Sequence, residues 1–236
     1  MEYTPCYERG NGGSIPSGGA INRVMKKLAV FLNHPQCSVQ SAHGIIRALS
    51  DDWEIDCIER HHLRDSILKK YEVLAVPGGL GDSDTWHNIM EPFKDTVLNF
   101  LARNKKYLGI CMGAYWAGSY YLNALQGVEP VQYIKRPRSE IKRSFGTVAE
   151  IDWLGETESM YFYDGCTFED QGGDYNIVAR YANKDPAAII QNNIGLIGPH
   201  PESDIYWYAK GYLKPHWHEY RHHLLLRNFV QQLVKN

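Results

Sequence analysis

Four short, largely apolar runs interleaved with stretches of helical spacing constrain the first half of this chain more than any other feature. Leu28-Ala29-Val30-Phe31-Leu32, Trp53-Glu54-Ile55-Asp56-Cys57-Ile58, Tyr71-Glu72-Val73-Leu74-Ala75-Val76 and Tyr107-Leu108-Gly109-Ile110 read as strands. A run with no polar face belongs to a strand covered on both sides. Residues 38–49 have the spacing of a helix with Val39, Ile45, Ile46 and Leu49 inward, and residues 89–104 one with Val97, Phe100 and Leu101 inward. Residues 114–122 are expected to form a third. This alternation predicts an α/β fold, a mostly parallel sheet with helices on both faces. The second half changes to short alternating stretches, 148–153 and 160–163, which predict antiparallel hairpins. Strands at 177–181, 187–191 and 194–197 and a closing helix at 220–233 follow. Residues 1–24 contain Gly10-Asn11-Gly12-Gly13 and Ser17-Gly18-Gly19 and are expected to be an irregular tail. No repeat or low-complexity linker divides residues 25–236, so they read as one domain.

Composition removes several classes of function. Lysine plus arginine number 25 and aspartate plus glutamate 27, a formal charge of −2, so no global basic field points to nucleic acid or an anionic membrane. Lys135-Arg136-Pro137-Arg138 with Lys142-Arg143 is a local basic cluster, read as a solvated loop. No apolar stretch of about 18 residues is present, so no membrane span is expected. The five cysteines (Cys6, Cys37, Cys57, Cys111 and Cys166) are odd in number and none forms a C-x-x-C pair. That argues against a disulfide scaffold or zinc ribbon and for a reducing, cytoplasmic setting.

Gly109-Ile110-Cys111-Met112-Gly113 joins the fourth strand to a helix. Such a turn holds its middle residue in a strained conformation, and the flanking glycines remove side chains that would strike neighbouring strands. Cys111 then stands at the carboxyl end of the sheet, where open α/β sheets bind ligands. The amide of Met112 and the start of the next helix favour a thiolate and an oxyanion. A thiolate nucleophile needs a base, usually histidine, oriented by a third group. Gly198-Pro199-His200-Pro201-Glu202 follows the strand at 194–197, which puts His200 on the same rim, with Glu202 placed to accept from its imidazole. Pro77-Gly78-Gly79 ends the third strand and offers backbone amides, one of them a candidate second oxyanion donor. Asn33, Asp82, Asp84, Trp86, Tyr115 and Trp116 lie near this rim and are candidates to shape a pocket.

Gly-Ile-Cys-Met-Gly at 109–113, His-Pro-Glu at 200–202 and Pro-Gly-Gly at 77–79, in this order, resemble the class I glutamine amidotransferase-like superfamily. Ile-Cys-Met-Gly-Ala-Tyr at 110–115 and Gly-Pro-His-Pro-Glu at 198–202 are most similar to its branch named for the N-terminal domain of biotin–protein ligases. The resemblance spans roughly residues 26–234. It implies a flavodoxin-like, doubly wound sheet with a small antiparallel excursion in the second half. By resemblance Cys111 is the nucleophile, His200 the base and Glu202 the orienting acid. Gly79 and Met112 supply the oxyanion amides, and Gly78, Asp82, Tyr115 and Asn33 face the substrate. The reaction implied is attack on an amide or related carbonyl of a small molecule through an acyl-thioester. It needs no cofactor and no metal. Glutamine-hydrolysing members carry a glutamine where Tyr115 stands, so the resemblance does not carry glutamine specificity with it. With no synthetase domain fused, a separate synthetase is the expected acceptor of released ammonia.

Three other readings compete. His218-Glu219-Tyr220-Arg221-His222 matches H-E-x-x-H, the helix motif of zinc proteases. The segment is rich in histidine, which makes a chance match easy, and no Asp or Glu follows His222 to serve as third ligand. The fold could also serve as a non-catalytic binding module. A peptidase-like or deglycase-like relative would place a glutamate at the end of the first strand, where this chain has Asn33-His34.

Overall fold

The computed structural model of the protein describes residues 25–236, and the glycine-rich tail expected over residues 1–24 lies outside the described residues. The first half builds β1 (Lys27–Phe31), α1 (Val39–Leu49), β2 (Glu54–Ile58), α2 (Asp65–Leu68), β3 (Val73–Val76), α3 (Ser83–Met90), α4 (Lys94–Ala102), β4 (Lys106–Ile110) and α5 (Met112–Trp116). The second half adds β5 (Val128–Gln132), β6 (Thr147–Trp153), β7 (Glu156–Phe162), β8 (Cys166–Asp170), β9 (Asn176–Tyr181), β10 (Pro186–Gln191), β11 (Ile194–Ile197) and α6 (Arg221–Lys235).

One nine-stranded sheet runs β2-β1-β3-β4-β11-β10-β9-β6-β7. Its first five strands are parallel, in the flavodoxin-like order. The remaining four are antiparallel and continue the same sheet, so the expected excursion is an extension of the main sheet. Only β5 and β8 form a separate ribbon. Period-two alternation sends Leu28, Val30, Val73, Ala75, Leu108 and Ile110 to one face, under Ile45 of α1 and Phe229 and Leu233 of α6. Ala29, Phe31, Leu74, Val76 and Tyr107 go to the other, under Trp86, Met90, Val97, Phe100 and Trp116 of α3, α4 and α5. Helices therefore cover both faces.

Three local expectations fail. The single helix over 89–104 is two helices joined by a tight turn, Glu91–Phe93, because Pro92 lacks the amide that would continue the ladder. The helix over 114–122 stops at Trp116, where the carbonyl of Trp116 accepts from Leu122 instead of continuing the ladder. The basic loop is not simply solvated: Arg136 is partly buried between Glu169 (2.5 Å) and Asp185 (3.1 Å). Among the described residues no helix is long and apolar enough to cross a membrane.

Candidate functional site

Cys111 is the single residue between β4 and α5, at φ 50° and ψ −105°. An L-residue held there costs about 1–3 kcal/mol, so its surroundings must over-determine it. They do so through the backbone. The Cys111 amide donates to Ile197 on β11 (2.8 Å), and its carbonyl accepts from Ala114 (2.9 Å) and Tyr115 (3.0 Å). The flanking glycines are required by space. A Cβ on Gly113 would lie 2.1 Å from the Val76 carbonyl oxygen, and one on Gly109 would lie 2.5 Å from that of Gly113. The strain expected from G-x-C-x-G is therefore present. The helix after it is a single turn, so it offers a few free amides rather than the dipole of a long helix.

Strand β11 lies beside β4 with Ile197 level with Ile110, so the chain leaves both strands at the same rim. Three residues later His200 is buried, and its Nδ1 hydrogen-bonds Glu202 Oε1 at 2.8 Å. That leaves Nε2 free of Glu202, and the Cys111 sulfur lies close enough to act on the ring. Burial alone pushes the imidazole down. The Glu202 carboxylate and the Cys111 sulfur outweigh it and raise His200 to about 10. Aromatic rings wall the imidazole, with Tyr161 edge-on at 6.0 Å and Trp207 tilted at 5.2 Å between centroids. The His200 amide donates to the Tyr161 carbonyl (2.8 Å). Neither aromatic was expected here. Tyr161 lies in the hairpin β6–β7 and Trp207 in the tight turn Ile205–Tyr208, and nothing in their local sequence marks them.

Gly79 faces Cys37 in an isolated antiparallel bridge closed by Ser38 N–H to Gly78 O (2.8 Å) and Leu80 N–H to Gln36 O (2.6 Å). In that pairing the two facing residues exchange no bond, so the Gly79 amide points away from Cys37. A Cβ at Gly79 would fall 2.6 Å from Met112 Cγ, so the two residues are in direct contact. Met112 is the first residue of α5 and its amide has no acceptor within the helix. Gly79 thus packs against the Met112 side chain, one residue from Cys111, and neither of their amides is claimed by regular structure.

The residues expected to face substrate fare unevenly. Gly78 is corrected: its amide is taken by Ser41 Oγ (3.0 Å) and its carbonyl by Ser38, so neither is free. Its role is steric, since a Cβ there would lie 3.0 Å from the His200 ring. Asp82 caps α3, accepting from the Thr85 amide (2.7 Å) and hydroxyl (2.9 Å), and these bonds hold its carboxyl below the usual carboxylate range. Asn33 donates to Gln36 (3.1 Å), and Asp84 accepts from Tyr121 (3.1 Å). Tyr115 does reach the site. Its hydroxyl donates to the Asp164 carbonyl (3.2 Å), while Cys111 Sγ lies 3.6 Å from the Tyr163 carbonyl, so the turn 163–165 crosses over the sulfur. Trp86 and Trp116 are core residues.

The H-E-x-x-H match does not form a helix. His218, Glu219 and Tyr220 precede α6, and both Glu219 and Tyr220 have positive φ. The His218 and His222 rings stack on each other at 3.9 Å, and Glu158 accepts from Arg221 and from His222 Nε2 (3.1 Å). Among the described residues, no group of three or more His, Cys, Asp or Glu is arranged to hold a metal ion. A cavity of about 510 Å³ lined by Thr157, Ser159, His216, Trp217 and Arg221 opens beside these histidines, away from Cys111.

Comparison with known proteins gives a consistent picture. No family model matches the chain. The phosphoribosylformylglycinamidine synthase subunit PurQ, from two serovars of Leptospira interrogans, is 27% identical over 185 residues, covering 67% of this chain and 83% of that protein. A glutamine amidotransferase from Thermotoga maritima superposes with a TM-score of 0.63 at 12% identity, over 91% of this chain and 100% of its own. The PurLQS structure from the same organism gives 0.61 at 17% identity, over 89% and 100%. The fold is that of the class I glutamine amidotransferase-like proteins.

Proposed function

We propose that this chain, with its class I glutamine amidotransferase-like fold, is a cysteine-dependent amidohydrolase in which Cys111, His200 and Glu202 carry the chemistry. The observation that carries the reading is the setting of His200, bonded to Glu202 on one side and raised by both that carboxylate and the nearby Cys111 sulfur. An imidazole held charged beside a sulfur favours the thiolate–imidazolium pair. The thiolate attacks the amide carbon, a C–S bond forms, and the carbonyl oxygen becomes an oxyanion that accepts from the Gly79 and Met112 amides. His200 passes its proton to the leaving nitrogen as the C–N bond breaks, and ammonia departs from an acyl-thioester. Water then attacks this thioester with His200 as base, restoring the thiol and releasing a carboxylic acid. Glu202 keeps the imidazole oriented and stabilises its charge throughout.

Residues 25–236 are read as one domain of this kind, of the branch named for the N-terminal domain of biotin–protein ligases, on the strength of Ile110–Tyr115 and Gly198–Glu202. The similar Leptospira protein is a synthase subunit. The present chain is accordingly read as supplying ammonia to a separate synthetase, in a reducing cytoplasm. Tyr115, tied down over the site, makes the acyl group the open variable, and a small primary amide the class to screen. Ammonia release from glutamine, asparagine and simple primary amides, compared between wild type and Cys111→Ala, tests the reading. Release that depends on Cys111 supports it, and equal rates in the two proteins contradict it.

A further inference from the structure

We infer that Ser41 is a positioning residue of the same site, a fourth member of the relay that runs Cys111–His200–Glu202. The inference rests on the function proposed above and concerns how Glu202 is held. Ser41 lies on α1, fully buried, with its backbone amide fastened by the Ser38 side chain at the helix start (3.1 Å). Its hydroxyl donates to Glu202 Oε1 at 2.6 Å and accepts from the Gly78 amide at 3.0 Å. The same carboxylate oxygen binds His200 Nδ1 at 2.8 Å. Glu202 Oε2 is buried without a hydrogen-bond partner among the described residues, so the carboxylate is oriented through Oε1 alone. A short bond from a hydroxyl to an ionised carboxylate is of the stronger kind.

The helix is shaped for this contact. One turn beyond Ser41, Gly44 presses on the backbone of Glu202, where a Cβ would lie 2.1 Å from its carbonyl oxygen. α1 therefore lies against the residue its serine grips. The second bond matters equally, because Gly78 is the neighbour of Gly79. One hydroxyl thus ties the carboxylate that orients the base to the segment that presents an oxyanion amide. Removing it leaves Glu202 Oε1 with the imidazole as its one partner. Without that bond the carboxylate is no longer fixed against the imidazole, and its support of the His200 charge weakens.

The test uses Ser41→Ala and Ser41→Cys in the full chain, with two readouts. One is amide hydrolysis on the substrate found in the screen. The other is the pH dependence of alkylation by iodoacetamide, scored by mass on the Cys111 peptide so that Cys37, Cys57 and Cys166 do not contribute. We expect Ser41→Ala to lower kcat about 10- to 100-fold, as loss of a bond to a charged group does, with KM within about twofold. The upper step of the alkylation profile, where the imidazolium loses its proton, should move to lower pH. Ser41→Cys keeps the shape with a weaker donor and should fall between wild type and Ser41→Ala; it is the variant to read if Ser41→Ala does not fold. A serine that only fills the Gly78 amide would lower the melting temperature and leave both kcat and the profile unmoved, and that result overturns the inference. Failure of the wider reading looks different, since Cys111→Ala would then retain activity.

Discussion

Among the described residues, two buried histidine–glutamate pairs are held in opposite charge states. His200 meets Glu202 at 2.8 Å and is raised to about 10, whereas His222 meets Glu158 at 3.1 Å and is pushed down to about 3. Distance to a carboxylate does not explain the difference. Burial disfavours the charged imidazole in both. At His200 it is outweighed by the Glu202 carboxylate and the Cys111 sulfur. At His222 burial stands uncorrected, because Glu158 is already neutralised by Arg221, whose own charge repels a second cation, as does neighbouring His223. His218, stacked on His222, falls to about 2 through burial and the two histidines beside it. A carboxylate raises a histidine only when no other cation has claimed it.

The comparison breaks first at Cys111. Cys111→Ala should lower amide hydrolysis by about 1000-fold or more, while His222→Ala leaves the rate per folded molecule within about twofold. Ammonia assays on both variants check this. The second effect is smaller. Glu202→Gln keeps the shape but withdraws the charge, and about a 100-fold loss is expected, whereas Glu158→Gln should leave activity intact and cost about 1–3 kcal/mol in urea unfolding.

Opposite charge states also predict opposite pH limbs. His218 and His222 are depressed in the fold, so the unfolded chain binds more protons below its ordinary value of 6.5. Their contribution is full above that value and is lost as pH falls from 6.5 toward about 3. His200 is raised, so its contribution is full below 6.5 and is lost as pH rises through about 10. Urea midpoints across pH should therefore fall on both sides, and His222→Gln should flatten only the acid side. The smallest effect concerns the cover on the sulfur. Tyr115→Phe loses one bond to Asp164, worth about 1 kcal/mol, and should speed alkylation of Cys111 by about threefold.

What was legible in the sequence was local. Cys111 between two glycines and His200 two residues from Glu202 are short-range patterns, and each sits at the end of an apolar run that could hardly be anything but a strand. The parallel half of the sheet was readable for the same reason. Ser41 was not, because its partner Glu202 is 161 residues away and a buried serine on a helix has no pattern of its own. Tyr163 reaches the sulfur, and Asp164 the Tyr115 hydroxyl, through backbone carbonyls, which any residue carries. Gly78 was misjudged because a glycine with a free amide and one whose amide is already bonded look alike in sequence. His218 and His222 matched a metal motif by spacing alone, and the positive φ at Glu219 and Tyr220 removes the helix that gives the spacing its meaning.

The charge of His200 is the central claim, and nitrogen-detected NMR titration of the imidazoles measures it directly. The account predicts that His200 stays an imidazolium through neutral pH and loses its proton near 10, that Cys111→Ala lowers that value, and that His218 and His222 stay neutral down to acid pH. A His200 that titrates near 6.5, unchanged by removal of the Cys111 sulfur, would contradict it.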